Sequence, residues 1–157
     1  MKITLLVIGK TSEDYLLQGI AEYEKRLTRY TQFLLDVIPD VKNASALSEP
    51  ELKEREGKLI LEKISQGDKL MLLDNRGTMH TSPQFAQFIE KQQLQSTKRL
   101  VFVVGGAYGF SEAVYKAASG KISLSPMTFS HQMVRLIFVE QLYRAMTILK
   151  GEPYHHE

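Results

Sequence analysis

Apolar and polar positions divide the chain into two kinds of alternating segment. Short runs rich in branched aliphatic residues have the pattern of buried β-strands, and longer stretches with apolar residues three or four positions apart have that of amphipathic helices. The sequence predicts strands over residues 3–8, 33–38, 69–74, 99–104 and 122–125. The run 99–104 is the most apolar, so we expect it at the centre of a sheet.

Helix starts are predicted between the strands from capping signals. Thr11, Ser48, Ser82 and Ser111 each carry a hydroxyl group at the start of an amphipathic stretch, with an acidic residue or a proline close behind. A final helix is predicted over residues 130–150, before a glycine and a proline that would end it. Strands and helices therefore alternate along the whole chain.

This alternation, without internal repeats, predicts an α/β fold with a mostly parallel, doubly wound sheet in a single domain over residues 1–157. In such a sheet, ligands bind at the carboxyl ends of the strands. Those ends fall at residues 9–10, 74–77, 105–106 and 124–126. Glycine or proline at these ends lets the backbone approach a ligand closely.

Composition narrows the kinds of site that the chain can build. Its 157 residues include no cysteine and only four histidines, which excludes thiol chemistry and zinc sites built on cysteine, and we expect no metal. The net charge of +2 is too small for tight binding of nucleic acid by charge alone. No apolar stretch is long enough for a membrane span or a signal peptide, so we expect a cytoplasmic protein without a membrane partner.

Four segments carry candidate chemistry, and each has a purely structural alternative. VFVVGGAYGFS, residues 101–111, indicates either a nucleotide-binding turn or a tight strand-to-helix turn, and it lacks the lysine of a phosphate-binding loop. LSPMTFSHQMVR, residues 124–135, offers main-chain groups to an adenine-like ring or is a loop before a helix. The final helix, apolar on nearly all sides, is a subunit interface or a core helix. The tail GEPYHHE, residues 151–157, is a frayed end or a cover over a bound substrate.

In this order and spacing, these segments resemble the RlmH family of ribosomal RNA large-subunit methyltransferases, members of the SPOUT superfamily that modify N3 of a pseudouridine. The resemblance rests on FVVGGAYG, LSPMTFSHQMVRLIFVEQLYRA and the PYH tail, and it covers essentially the whole chain. It implies a SPOUT α/β fold with a C-terminal trefoil knot, a homodimer and S-adenosylmethionine as cofactor. The implied substrate is large-subunit (23S) ribosomal RNA, within the assembled ribosome.

The resemblance also implies which residues contact the cofactor. They coincide with three of the strand ends already singled out, so both lines of reasoning lead to one edge of the sheet. The implied contacts are Leu73, Gly105, Leu124, Ser125, Pro126, Met127, Thr128 and Phe129.

For the transfer itself we expect three residues to act. His155 is the candidate base, or the group that fixes the tail. Tyr154 is expected to stack on or hydrogen-bond the target nucleotide, and Arg144 to hold phosphate or a developing anion.

Two positions depart from the family pattern. Ser130 stands where relatives often have proline, and we expect little change because serine is a good helix cap. His156 stands where some relatives have arginine, which would make a phosphate contact weaker and pH-dependent. A non-catalytic ribosome-binding or dimerisation module, and a general nucleotide-binding enzyme, are the alternatives. Cofactor titration would discriminate between them.

Overall fold

The computed structural model describes residues 1–156, whose strands form one five-stranded sheet. The strands are β1 Lys2–Ile8, β2 Gln32–Ile38, β3 Asp68–Met79, β4 Arg99–Val104 and β5 Gly120–Ser123. Neighbouring strands are all parallel, in the order β2-β1-β4-β3-β5. The predicted parallel α/β sheet is confirmed, and the most apolar strand, β4, lies at its centre.

Helices cover both faces of this sheet. They are α1 Asp14–Leu27, α2 Glu49–Glu62, α3 Ser82–Leu94, α4 Glu112–Ala117 and α5 Met133–Leu149, with a short 3₁₀ turn at Ala44–Ala46. Alternate residues of the strands point to two separate cores, one shared with α1, α3 and α5 and the other with α2 and α4. The doubly wound arrangement therefore follows from central strands whose apolar residues face both sides of the sheet.

The larger core is centred on an aromatic contact between β4 and α5. The rings of Phe102 and Phe138 lie 4.7 Å apart between centroids, and both side chains are fully buried. Removing either ring would cost about 3–5 kcal/mol, because a close-packed interior closes a cavity only in part. This contact makes α5 a core helix, while several of its other side chains stay only half-buried.

Capping predictions succeed for two helices and miss by one residue at a third. Ser48 and Glu51 form the capping box of α2, and Ser111 accepts a hydrogen bond from the backbone of Val114 at the start of α4. At α3 the capping hydroxyl belongs to Thr81 rather than Ser82. Since both residues are hydroxylic, the start of the helix is displaced by only one residue.

The predicted cap at Thr11 is wrong. Helix α1 begins at Asp14 without a side-chain cap, and the Thr11 hydroxyl instead accepts a hydrogen bond from the buried guanidinium of Arg135 at 3.1 Å. That guanidinium also donates to the carbonyl oxygens of Ile8 and Gly9. The Thr11 hydroxyl, which the local sequence predicts as a helix cap, therefore binds a side chain of α5 instead.

The pairing of β3 with β5 departs most from the predicted strands. β3 continues five residues beyond the expected end, and Ile122 is the parallel partner of both Leu73 and Thr78, so residues 74–77 make a wide excursion. β5 ends at Ser123, earlier than predicted, which releases the following residues into a loop. The trefoil knot and the single domain over the whole chain stay predictions.

Candidate active site

A cavity of about 920 Å³ opens at the carboxyl ends of β3, β4 and β5. Its volume lies within the range of about 300–1,000 Å³ that is usual for small-molecule sites. Residues 73–76 of β3 and the residues at and after the ends of β4 and β5 supply most of its lining. Helices α2 and α5 add one side chain each, and α4 adds two. A parallel sheet places ligands at this same edge.

The structure brings most of the expected cofactor residues to this cavity. Leu73 is the strand partner of both Val104 and Ile122, so the three strand ends meet at one level of the sheet. Pro126 does not line the cavity, although its neighbours on both sides do. The expected residues that line it are Leu73, Gly105, Leu124, Ser125, Met127, Thr128 and Phe129.

A tight turn follows β4 and forms one side of the cavity. The N–H of Gly109 donates to the carbonyl oxygen of Gly106 at 3.2 Å, and Gly109 has a φ of 85° that favours glycine. A β-carbon on Gly105 would lie 3.0 Å from the ring of Phe110, which also lines the cavity. The glycines therefore permit the tight turn and the close packing of Phe110, and they also expose backbone to the cavity.

Behind this turn lies a buried carboxyl group on α2. A β-carbon on Gly106 would lie 2.5 Å from Oε1 of Glu56, so the carboxyl group packs directly against the glycine. Burial, and to a smaller extent the charge of Asp40, raise the pKa of Glu56 above its ordinary value. Only a glycine at position 106 leaves room for this contact.

The loop after β5 is held by its own hydrogen bonds. The Ser123 hydroxyl donates to the carbonyl oxygen of Ser125 at 3.0 Å, and the Ser125 hydroxyl accepts from the backbone N–H of Met127 at 2.9 Å. The Met127 side chain is 77% exposed and borders the cavity. The Ser130 hydroxyl accepts from the backbone of Met133, as expected for a serine before a helix.

A hydrogen-bonded group of three side chains stands at the rim of the cavity. The Tyr115 hydroxyl donates to Oδ2 of Asp74 at 2.5 Å and accepts from Nη2 of Arg76 at 2.6 Å. Asp74 also accepts from the backbone N–H of Arg76 at 2.8 Å. Burial alone would raise the pKa of Asp74, but the hydrogen bonds from Tyr115 and Arg76 outweigh it and lower that pKa.

The three expected catalytic residues also meet, but elsewhere. Glu140, Arg144, Tyr154 and His155 form a group that we call the tail cluster. Arg144 donates to Glu140 through Nε at 2.9 Å, its Nη1 lies 3.1 Å from Nδ1 of His155, and its guanidinium carbon lies 4.8 Å from the ring centre of Tyr154. The Tyr154 hydroxyl lies 3.1 Å from that of Tyr23. Tyr154 and His155 are thus packed onto α1 and α5, and this part of the tail is not frayed.

The tail cluster and the cavity of the same chain lie apart. Val134 lines the cavity, whereas Arg144 is ten residues further along α5, about 15 Å along the helix axis. No member of the tail cluster lines the cavity, among the residues that the structure describes. Tyr30, three residues beyond the end of α1, donates to Glu152 at 2.7 Å and helps to hold the tail there.

The described part of the chain contains neither a metal-binding cluster nor a membrane-spanning helix. Within residues 1–156, no group of three or more His, Asp or Glu side chains is placed to hold a metal ion. In that same part of the chain, no helix combines the length and apolar character needed to cross a bilayer.

Comparison with known proteins identifies the family. The family model for a predicted SPOUT methyltransferase matches residues 1–155. The chain is 63% identical to the ribosomal RNA large subunit methyltransferase H of Parabacteroides distasonis, and 55% and 54% identical to the proteins of that name from Flavobacterium johnsoniae and Bacteroides thetaiotaomicron. Each match covers all of both chains.

The chain belongs to the SPOUT methyltransferase family. The resemblance stated from the sequence is thereby confirmed, and the chain is an enzyme. Among solved structures, the SpoU methyltransferase AviRb from Streptomyces viridochromogenes, in complex with AdoMet, is similar at a TM-score of 0.45 and 10% identity, over 96% of this chain and 61% of that one. A likeness at that level carries no argument about the site.

Sequence reasoning missed several residues of this SPOUT methyltransferase that border the cavity. Lys53 reaches it from α2 and Tyr115 from α4, and both helices were predicted without any functional residue. His131, just before α5, also lines it. The tertiary packing of helices on the sheet decides which of their side chains arrive, and no local signal marks those positions.

Proposed function

We propose that the protein transfers a methyl group from S-adenosylmethionine to N3 of a pseudouridine in 23S ribosomal RNA, within the assembled ribosome of the cytoplasm. The observation that carries the proposal is the full-length identity of 63% to a protein named ribosomal RNA large subunit methyltransferase H. The cavity at the carboxyl ends of β3, β4 and β5 supplies a place for the cofactor.

The cavity fits such a cofactor in size and in chemistry. It offers the carboxylates of Asp74 and Glu112 and the ammonium group of Lys53, which suit a ligand that carries both an amino group and a carboxylate. Residues 124–129 would hold the adenine ring through main-chain groups, and Leu73 and Gly105 would form the opposite side. When bound, S-adenosylmethionine supplies a methyl group on a positively charged sulfur.

The functional unit in this proposal is a homodimer in which the tail cluster of one subunit completes the cavity of the other. The separation of cluster and cavity within one chain supports this arrangement. Helix α5 has no fully exposed residue between 133 and 149, and α1, which packs on it, exposes Tyr15 and Leu17. A second copy would cover these apolar groups.

Within the tail cluster, the contact with Arg144 selects the tautomer of the His155 ring. A guanidinium has no acceptor, so Arg144 donates to Nδ1 of His155, and the proton of the neutral imidazole then lies on Nε2. Burial, followed by the hydrogen bond with Tyr23, raises the pKa of Tyr154, so its hydroxyl keeps its proton at neutral pH. In this arrangement, His155 and Tyr154 are hydrogen-bond donors, and His155 also fixes the tail.

These groups suit an acceptor that becomes an anion. A pyrimidine N3 reacts after it loses its proton, here to solvent water, and negative charge then develops on the flanking carbonyl oxygens. Donors that are already oriented stabilise such charge strongly where water is excluded. Arg144, held by Glu140, and the Nε2–H of His155 would supply this stabilisation, while the cavity holds donor and acceptor in line.

Transfer of a radioactive methyl group tests the proposal. Intact ribosomes, isolated large subunits, isolated small subunits and free 23S RNA, all from cells that lack the modification, are incubated with the protein and labelled S-adenosylmethionine. We expect label in the large-subunit RNA of intact ribosomes and none in small subunits. No label in any sample, with no cofactor binding by calorimetry, would favour a non-catalytic ribosome-binding or dimerisation module.

A further inference from the structure

A second hollow adjoins the cavity and carries two cations. It has a volume of about 330 Å³ and is lined by Arg76, Tyr115, Ala118, Gly120 and Lys121. Arg76 and Tyr115 line the main cavity as well, so the two spaces meet at these side chains. A ligand that extends out of the cavity on this side would therefore lie over the hollow.

The two cations converge on one aromatic ring. The guanidinium carbon of Arg76 lies 5.5 Å, and Nζ of Lys121 lies 5.6 Å, from the ring centre of Tyr115. The ring face attracts each cation, and Asp74 offsets part of the charge of Arg76. Two positive side chains at one ring make the hollow attractive to a negatively charged ligand.

Arg76 is oriented for this purpose by its neighbours. Its backbone N–H and Nε donate to Asp74, whose side chain is only 7% exposed, and its Nη2 donates to the Tyr115 hydroxyl. The Arg76 side chain is nevertheless 69% exposed, so the rest of its planar donor set faces solvent. A guanidinium held on one edge and open on the other is suited to bind phosphate oxygens.

Lys121 adds a second positive charge to the hollow. It is exposed on β5 and forms no ion pair within the described residues 1–156. It lines the hollow and not the main cavity, so it is not placed to hold the carboxylate of a ligand inside the cavity. The hollow thus combines two cations and a half-buried tyrosine, the combination with which proteins bind a single nucleic-acid strand.

We propose that Arg76, Tyr115 and Lys121 form a clamp for a backbone phosphate of the RNA substrate, next to the nucleotide that enters the cavity. This inference rests on the proposed function and adds the place where the RNA strand enters. The clamp explains how a chain of net charge +2 grips RNA, because it concentrates charge at the mouth of the cavity.

The test uses the full-length protein with Lys121→Gln, Arg76→Gln and the double variant. Lys91→Gln is the matched control, because Lys91 is exposed near the C-terminal end of α3. That end of α3 leads into the start of β4, whereas the cavity lies at the opposite end of that strand. Lys121→Arg keeps the charge and serves as the rescue variant. The measurements are ribosome binding by co-sedimentation at several salt concentrations, KM and kcat for methyl transfer, and calorimetric affinity for S-adenosylmethionine.

Loss of the clamp should weaken ribosome binding and leave the affinity for S-adenosylmethionine unchanged. We expect the double variant to raise KM about tenfold and to reduce the slope of log affinity against log salt by about 1 to 2. We expect Lys121→Arg to recover much of the ribosome binding that Lys121→Gln loses, and Lys91→Gln to behave like the unmodified protein. Unchanged ribosome affinity and salt slope in the double variant would overturn the clamp, and so would a defect confined to cofactor affinity.

The outcomes separate this inference from the proposed function. If the unmodified protein transfers no methyl group, the function fails, and co-sedimentation still shows whether the clamp binds the ribosome. If it transfers methyl groups and the double variant keeps its KM and salt dependence, the function stands and the clamp is wrong.

Discussion

Gly77 of β3 passes against the backbone of Ile122 in β5. A β-carbon on Gly77 would lie 2.6 Å from the backbone nitrogen of Ile122. Because the neighbour is main chain, no change of side-chain rotamer could relieve this clash. The close approach lets Leu73 and Thr78 both pair with Ile122 and fixes residues 74–77 at the rim of the cavity. One glycine thus connects the strand pairing to the shape of the site.

Gly77→Ala is therefore expected to destabilise the fold. Forcing a methyl group against backbone should lower the free energy of unfolding by about 3 kcal/mol, at the upper end of the usual cost of overpacking. Thermal unfolding followed by circular dichroism measures this. Gly120→Ala is the control, since its β-carbon would meet only the flexible end of Met71, and we expect it to be tolerated. Equal melting temperatures for both variants would contradict the role of Gly77.

The Asp68–Arg99 pair should make stability depend on acid pH. Burial alone would raise the pKa of Asp68, but hydrogen bonds from Arg99 and from the backbone of Ser65 outweigh it and lower that pKa. Because the pKa is lower in the folded protein, the contribution is present above the unfolded value of about 4 and is lost as pH falls through the folded value.

Asp68→Asn tests this dependence. We expect it to lower the melting temperature at pH 7 by about 5 °C and to reduce the loss of stability between pH 5 and pH 2, since the titrating group is gone. Glu90→Gln, on the exposed surface of α3, is the control. A melting temperature that depends on pH as steeply in Asp68→Asn as in the unmodified protein would show that other groups carry the effect.

His155 should act as a donor rather than as a base. We expect His155→Ala to lower kcat about 100-fold, as for loss of one donor to a developing anion, with unchanged affinity for S-adenosylmethionine. His155→Gln, which keeps an N–H and an acceptor, should retain more activity and the same pH profile. Loss of the acidic limb of the pH–rate profile in both variants would instead identify His155 as the base.

The composite site can be tested by mixing two inactive variants. Gly105→Val places a branched side chain against Phe110 in the cavity, and His155→Ala removes part of the tail cluster. If each active site takes its cavity from one subunit and its tail from the other, a heterodimer has one intact site. Co-expression should then restore about a quarter of normal activity, because half of the dimers are mixed and each has one of two sites. No recovery would place cavity and tail in the same subunit.

The sequence predicts the fold well where the evidence is local. Continuous apolar runs identify all five strands, and the hydroxyl caps of α2 and α4 are placed correctly because the capping side chain contacts backbone only three residues away. Thr11 fails as a cap because Arg135, far along the chain, takes its hydroxyl. The continuation of β3 fails for the same reason, since pairing with β5 extends it.

In the site, too, local features could be predicted from the sequence and contacts between distant residues could not. Glycine and proline at strand ends indicate the edge at which the cavity lies, and the family resemblance adds the individual residues. The Arg76–Tyr115–Asp74 group could not be predicted, because Tyr115 reaches it from a separate helix 41 positions away from Asp74. Nor does any spacing indicate that Arg144 contacts the tail at His155, since the chain must fold back after α5 to bring them together.

The most direct test is to locate the methyl group in the RNA. Ribosomes from cells that lack the modification are incubated with the protein and S-adenosylmethionine, and the 23S RNA is digested and analysed by liquid chromatography and mass spectrometry. The account predicts one methylated pseudouridine per 23S RNA, with the methyl group on N3, and none when the Gly105→Val variant is used. Methylation of another base, of the ribose, or of small-subunit RNA alone would contradict it.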